Sequence, residues 1–329
     1  MVTVAVSRER PAPAIRNVNG SRSNMPMGKK ITLTGFFITI LGAVFFSTKA
    51  IFVKLAFRDT QVDALTLLCL RMLFSLPFYL AAAGLAARKE NQAALTRRDW
   101  LLVLAMGILG YYLSSLFDFI GLQYVSAGLE RLILFLYPTF AVLINTYYFK
   151  TKLERAQLAA LLLTYLGIGI AYFGELKLGD TNPQFYFGSF MVFLCSITYS
   201  VYLVGSGRLV PRLGATRYTA YAMLAATAGI FIHFLLVHDF AGVRLTPTLA
   251  WYSLAIALIA TVLPSFLMSN GMKRIGSNNV SIITSIGPVS TILQAHFFLG
   301  EPVNTTQLSG TLLVIAGVLL IGWKSKKGG

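Results

Sequence analysis

Two stretches of this chain, 150 residues apart, match one another without a gap. Tyr137-Pro138 and the thirty or so residues after them align with Gly287-Pro288 and the residues beyond, so that Pro138 meets Pro288, Gln157-Leu158 meets Gln307-Leu308, and Gly167 meets Gly317. Both copies are apolar enough to lie in a bilayer. A duplicated set of membrane helices limits the fold severely, because in lipid every backbone polar group has to be satisfied within the protein. The earlier helices match more loosely, Gly35 and Ser47 falling opposite Gly188 and Ser200.

Composition agrees. Of 329 residues, 56% are hydrophobic and 12% charged, where soluble domains carry about 25% charged residues. The expected fold class is an all-α polytopic membrane protein. Ten apolar windows are each long enough to cross the hydrocarbon core: about 31–56, 63–87, 100–122, 127–149, 156–175, 187–206, 217–237, 248–270, 278–299 and 307–324. They are continuous rather than alternating, which excludes a barrel. Grouped by the repeat they give a first five-helix unit over 31–175 and a second over 187–324. Residues 1–28 are polar, lack apolar periodicity and read as a disordered cytoplasmic tail. Met25 or Met27 could serve as the start. The first span is too long for a signal-peptide core and lacks a small-residue cleavage site, so it should remain attached.

The net charge of +16 would point to nucleic acid in a soluble protein. Here it reports topology. With the N-terminus inside, inner segments hold 21 of the 28 Lys and Arg residues, outer loops hold three (Arg58, Lys177, Arg244), and Lys49, Lys54, Arg71 and Arg131 lie within spans. That imbalance places both termini in the cytoplasm and the chain in the cytoplasmic (inner) membrane. Five spans per copy, an odd number, make the second copy inverted. The basic loop of the first copy, Lys150 to Arg155, faces inward, and its counterpart, Gly300 to Thr305, faces outward without a basic residue.

The signature Pro-x(10)-Leu-Gly-Glu-Pro-x(4)-Gln-Leu-x-Gly at 288–310, with Phe-x-Lys-Leu-Ala at 52–56 and Arg71-Met-Leu-Phe, resembles the EamA repeats of the drug/metabolite transporter superfamily. The first copy departs from the signature, with Lys150-Thr151 where Gly300-Glu301 stand in the second. The resemblance implies ten helices around a central cavity lined by spans 1, 3, 4, 6, 8 and 9. It also implies a cargo among amino acids, nucleotide sugars, sugar phosphates and drugs.

Five charges lie deep in the expected helices: Lys49, Arg71, Asp118, Glu130 and Arg131. A charge at mid-bilayer costs about 2.5–3.5 kcal/mol on insertion scales, so each needs a partner or a wet cavity. Lys49, Asp118, Glu130 and Arg131 fall at similar depth in the outer half and could form one network, with Arg71 nearer the midplane. Substrate contact, proton coupling, snorkelling and helix clamping are all open to them. Small and polar stripes accompany them: Gly107, Tyr111, Ser114, Asp118 and Gly121 in span three; Glu130, Leu134, Tyr137, Ala141 and Asn145 in span four; Ser281, Thr284, Pro288, Thr291 and Ala295 in span nine. Such stripes also serve close helix packing. Ser285, Asn270 and the pair Tyr199 and Tyr202 complete the candidate set. Pro138, Pro264 and Pro288 are candidate hinges, since each removes a backbone hydrogen bond. Tyr111-Tyr112, Trp100, Trp251 and Trp323 read as interfacial anchors.

The expected activity is secondary transport of a small polar metabolite, with export of amino acids or related compounds as the leading case. Alternating access between the repeats would carry it, and both coupling to protons through Asp118 or Glu130 and facilitated diffusion are open. The expected partners are a small-molecule substrate and the bilayer. The small-residue face from Gly310 to Gly317 suits either a homodimer or packing within the chain. No enzyme activity, cofactor, metal or nucleic acid is expected. Cys69 and Cys195 lie in apolar runs, His233, His238 and His296 show no metal spacing, and no Walker A motif exists. A receptor or scaffold without flux is the alternative, and an intramembrane enzyme a weaker one, since Asp118 has no second intramembrane Asp.

Overall fold

The computed structural model describes residues 32–88, 95–149, 155–176, 183–238, 244–275, 280 and 283–324. The tail 1–28, the loop 150–154, Ser281 and the side chains of Asn145 and Ser285 therefore lie outside the described residues. Everything regular in the described residues is helical. In chain order the helices are α1 (Leu33–Thr60), α2 (Ala64–Ala87), α3 (Arg97–Leu122), α4 (Ala127–Leu134), α5 (Tyr137–Phe149), α6 (Arg155–Leu176), α7 (Phe185–Leu213), α8 (Ala215–Val237), α9 (Pro247–Ile275), α10 (Gly287–Gln294) and α11 (Thr305–Lys324). A π-helical turn, Ala295–Leu299, extends α10.

Local chemistry sets several of the starts. Thr32, Asp63, Thr96, Ser126 and Thr246 each turn a side-chain oxygen onto an amide of the first helical turn, at 2.9–3.2 Å. Without these bonds those N–H groups would have no intrahelical acceptor. At α3 the cap is reciprocal, with Asp99 accepting from the Thr96 amide at 3.0 Å.

Seven described segments are long and apolar enough to cross a membrane: α1, α2, α3, Ala127–Tyr148, α7, α8 and α9. Their outward faces are apolar as well. Leu33, Phe37 and Leu41 along α1, and Leu158, Leu162, Leu166 and Phe173 along α6, are exposed. Unbroken stripes of this kind suit lipid, not water.

Element bounds recur at the interval seen in the sequence. α3 starts at 97 and α9 at 247; α5 at 137 and α10 at 287; α6 at 155 and α11 at 305, each pair 150 residues apart. The irregularities recur too. α3 widens into a π-helical segment at Ile108–Leu113 and α9 at Leu258–Val262, again 150 residues on. Contacts follow the same exchange: α1 packs on α9 as α7 packs on α3, and α2 packs on α9 as α8 packs on α3. Two pairs join equivalent elements directly, α2 with α8 and α6 with α11.

Glycines allow the closest crossings. A Cβ on Gly167 would meet the Gly310 carbonyl oxygen at 2.5 Å, and one on Gly310 would meet the Gly167 oxygen at 2.4 Å. Gly310 is thus occupied inside the chain, which answers the choice between dimer and internal packing at that residue. Gly121 and Gly188 meet in the same manner between α3 and α7.

Gly310→Leu should lower stability by roughly 1–3 kcal/mol through overpacking. Gly169→Leu, whose Cβ meets nothing within 4 Å, should leave it nearly unchanged. Thermal unfolding of the purified variants separates the two, and equal melting temperatures would contradict the crossing.

Candidate functional site

Four of the five deep charges meet where α1, α3, α4 and α10 converge. The Lys49 ammonium lies 2.6 Å from an Asp118 carboxylate oxygen, with both side chains buried. Glu130 is 0% exposed, and its carboxyl group lies within hydrogen-bonding reach of that of Asp118. Apart from the ammonium, no donor among the described residues serves any of the four carboxyl oxygens. Two carboxylates side by side repel, so a proton shared between them would relieve the contact.

Arg131 turns the other way, as adjacent residues on a helix must. Its Nε donates to Thr291 on α10 at 3.2 Å and its Nη2 to Ser47 on α1 at 3.1 Å. Ser47 in turn donates to the Ala43 carbonyl and reaches that of Gly287. Both cations lie 5.1 Å from the centroid of the Phe46 ring. Arg71 sits one helix away, donating to Ser115 at 3.1 Å and lying over the Phe119 ring.

A tyrosine cluster lines the α7 side. Tyr111 and Tyr202 share a 2.6 Å hydroxyl contact, Tyr199 stands edge-on to Tyr137 at 5.1 Å, and Tyr202 lies beside both Tyr199 and Tyr218. The expectation that Tyr111 anchors at the interface is corrected here. It lies in the π-helical segment of α3, where Gly110 gives Tyr202 room that any Cβ would take, at 2.2 Å. Ser114 contacts the Cys195 thiol at 3.2 Å, and Tyr137 reaches Thr284. Asn270 stands apart, exposed and bonded to the Phe266 carbonyl, while the Ser285 side chain lies outside the described residues.

The prolines act more sharply than a kink. Pro138 is the second residue of α5, after a break at Phe135-Leu136, and Pro288 the second of α10, after a short 3₁₀ turn at Thr284–Ile286. In that position a missing N–H costs nothing. Pro264 is buried at the end of the π-helical segment of α9.

Sequence reasoning missed the role of Glu301. Its carboxylate accepts from the Ala127 amide at 3.0 Å and lies 3.4 Å from that of Gly128, so a loop of the second copy caps α4, the helix that carries Glu130 and Arg131. A helix N-terminus attracts an anion, and the lone acidic residue of an otherwise uncharged loop was the available signal. Two apolar grooves among the described residues, of about 400 Å³ along α9 and about 320 Å³ beside α6 and α7, contain none of the charges.

A family model described as "EamA-like transporter family" matches this chain twice, over residues 33–173 and 186–323. The chain belongs to that family. Bacillus subtilis (strain 168) has a relative called uncharacterized transporter YcbK, 32% identical over 298 residues, covering 86% of this chain and 92% of the relative. An uncharacterized transporter of Archaeoglobus fulgidus is 24% identical, covering 87% and 94%. One solved crystal structure superposes with a TM-score of 0.63 at 18% identity, over 89% of this chain and 98% of that chain, a likeness of fold alone. This EamA protein is therefore a multi-pass membrane transporter of the drug/metabolite transporter superfamily.

Lys49→Met should destabilise the protein by roughly 3–5 kcal/mol, because it leaves Asp118 buried beside Glu130 without a counter-ion. Adding Asp118→Leu should recover most of that loss. A double-mutant cycle on thermal unfolding measures the coupling, and additive losses would rule the ion pair out as a structural unit.

Proposed function

We propose that this EamA transporter is a secondary transporter of the inner membrane. In this reading ten spans form two inverted five-helix repeats, 31–175 and 187–324, with both termini in the cytoplasm. A small polar metabolite crosses by alternating access between the repeats, with export of amino acids or related compounds as the leading case. The 150-residue recurrence of element bounds, the exchange of helix contacts and the doubled family match support the repeat. The orientation rests on the distribution of Lys and Arg.

The observation that carries this reading is the charge cluster at the seam between the halves. Lys49, Asp118, Glu130 and Arg131 come from the first half, yet Arg131 bonds Thr291 of the second. Moving one half against the other has to break or remake that bond. Polar clasps stand at either end of the bundle: Arg212 pairs with Asp99 between α7 and α3, and Asp59 accepts from Tyr252 between α1 and α9. Opening one clasp while the other holds exposes the centre to one side only.

Proton coupling fits the same geometry. With both carboxyls ionised, two anions face one ammonium; a proton on either leaves a neutral acid beside a satisfied ion pair. Uptake from one side and release to the other would follow the exchange of halves.

The test is uptake into proteoliposomes of a pooled set of labelled metabolites, with and without a pH gradient. Gradient-driven flux of one class is expected, reduced about tenfold or more by Asp118→Asn, which leaves Lys49 unpaired. Glu130→Gln should remove the gradient dependence while leaving downhill exchange. Gradient response unchanged in both variants would eliminate the proton mechanism, and folded protein that moves nothing would eliminate the transporter reading.

A further inference from the structure

Arg71 is the buried charge that the cluster leaves over. The five deep ionisable side chains comprise three cations and two anions, so the ionised set sums to +1. Lys49 holds Asp118, and Arg131 is bonded by Ser47 and Thr291. Arg71 is 3% exposed, yet no carboxylate comes within ion-pair distance of it among the described residues. The carboxylate whose charge it feels, that of Asp118, is already engaged by the Lys49 ammonium. One guanidinium nitrogen donates to the Ser115 hydroxyl at 3.1 Å and approaches the Met72 sulfur at 3.5 Å. The Nε hydrogen has no acceptor among the described residues.

A guanidinium stripped of water needs a counter-ion and acceptors for its fixed fork of N–H groups. This one has a ring beneath it, one hydroxyl acceptor and an orphaned edge. It lies against Ser115 and Phe119 of α3, three residues before and one residue after Asp118, and so borders the proposed transport site. A planar fork of donors matches two oxygens of a carboxylate or a phosphate.

We propose that Arg71 is the anion-binding residue of the transport site, and that the cargo carries a carboxylate or phosphate group and a net negative charge. This rests on the reading of the cluster as a transport site. A neutral zwitterion would bring its own cation and leave the surplus charge uncompensated, so within the amino-acid class the proposal narrows the cargo to the acidic members, which carry a net negative charge. A monocarboxylate brings the fully ionised set to neutrality, and a dianion such as a phosphate ester does so when one proton is held by Asp118 or Glu130.

The experiment is ligand-induced stabilisation of the purified protein, which needs no flux. The probes are acetate, pyruvate, succinate, inorganic phosphate and glycerol phosphate, set against acetamide, glycerol and alanine as neutral or zwitterionic counterparts. Anions of one kind should raise the melting temperature of the wild type, and the uncharged counterparts should not. The carboxylate and phosphate arms distinguish the two group chemistries. Arg71→Gln should weaken the anion effect by roughly tenfold or more in apparent affinity. Arg71→Lys, which keeps the charge without the fork, should fall between, and it supplies the measurement if the Gln variant fails to fold. A wild-type response equal for acetate and acetamide, a response undiminished in the Arg71 variants, or no response to any anion would overturn the proposal. Anion stabilisation without flux would keep the Arg71 site and remove the transporter reading. Flux of uncharged compounds untouched by Arg71→Gln would do the reverse.

Discussion

An ammonium held 2.6 Å from a carboxylate, with both buried in a bundle meant for lipid, governs what the surrounding helices are allowed to do. Neither charge is tolerable alone at that depth, so α1 and α3 have to approach at one register, and the residues along their faces are placed accordingly. The Phe46 ring takes a cation–π contact from both Lys49 and Arg131. Arg131 then reaches across to Ser47 and Thr291, fastening α4 to one helix from each half. A membrane bundle gains little from apolar contact between its helices, since lipid tails are equally apolar. Polar bonds and glycine crossings therefore decide how it holds together. The Gly167–Gly310 and Gly121–Gly188 approaches do for α6 with α11 and α3 with α7 what the charges do at the centre.

The irregular segments are where backbone and site meet. The π-helical turns of α3 and α9, the break before Pro138 and the 3₁₀ turn before Pro288 all depart from the regular hydrogen-bond ladder. Such departures are tolerated at membrane depth only where the freed groups find protein partners, as when Thr261 donates to the Ile256 carbonyl five residues back. In α3 the widened turn carries Gly110 and Tyr111 and so sets the position of the tyrosine cluster against α7. The bends in the bundle thus coincide with the residues that face its centre.

Much of this was legible in the sequence because duplication and charge are both written at fixed spacing. The 150-residue register recurs between paired helix starts, although the starts at Tyr137 and Gly287 lie inside windows that read as unbroken spans, and the depth of Lys49, Asp118, Glu130 and Arg131 along their spans put them at one level. What the sequence could not show depends on rotation about helix axes and on loops. That Glu130 turns to Asp118 while Arg131 turns to Thr291 depends on the angle of α4, which no periodicity specifies. Tyr111 fitted both an inward stripe and an interfacial anchor, and only the presence of Tyr202 over Gly110 decides between them. Glu301 lies in a loop, 174 residues from the amide that it caps.

The two halves share a backbone plan but not a charge plan. Carried across the repeat, Lys49 becomes Tyr202, Asp118 becomes Met268, Glu130 becomes Val280 and Arg131 becomes Ser281. The charged network of the first half therefore stands against hydroxyls and thioethers in the second. If an exchange of halves interconverts two openings, matched backbones make the openings similar in shape, whereas unmatched side chains make them unequal in energy. Under that exchange the inequality would be greatest at Arg131, whose bonds to Ser47 and Thr291 join α4 to one helix from each half. Under the proposed mechanism, a cargo or a proton that alters the charge around Glu130 would act on the atoms that separate the two states. That would give a chemical gradient a purchase on the proposed conformational change.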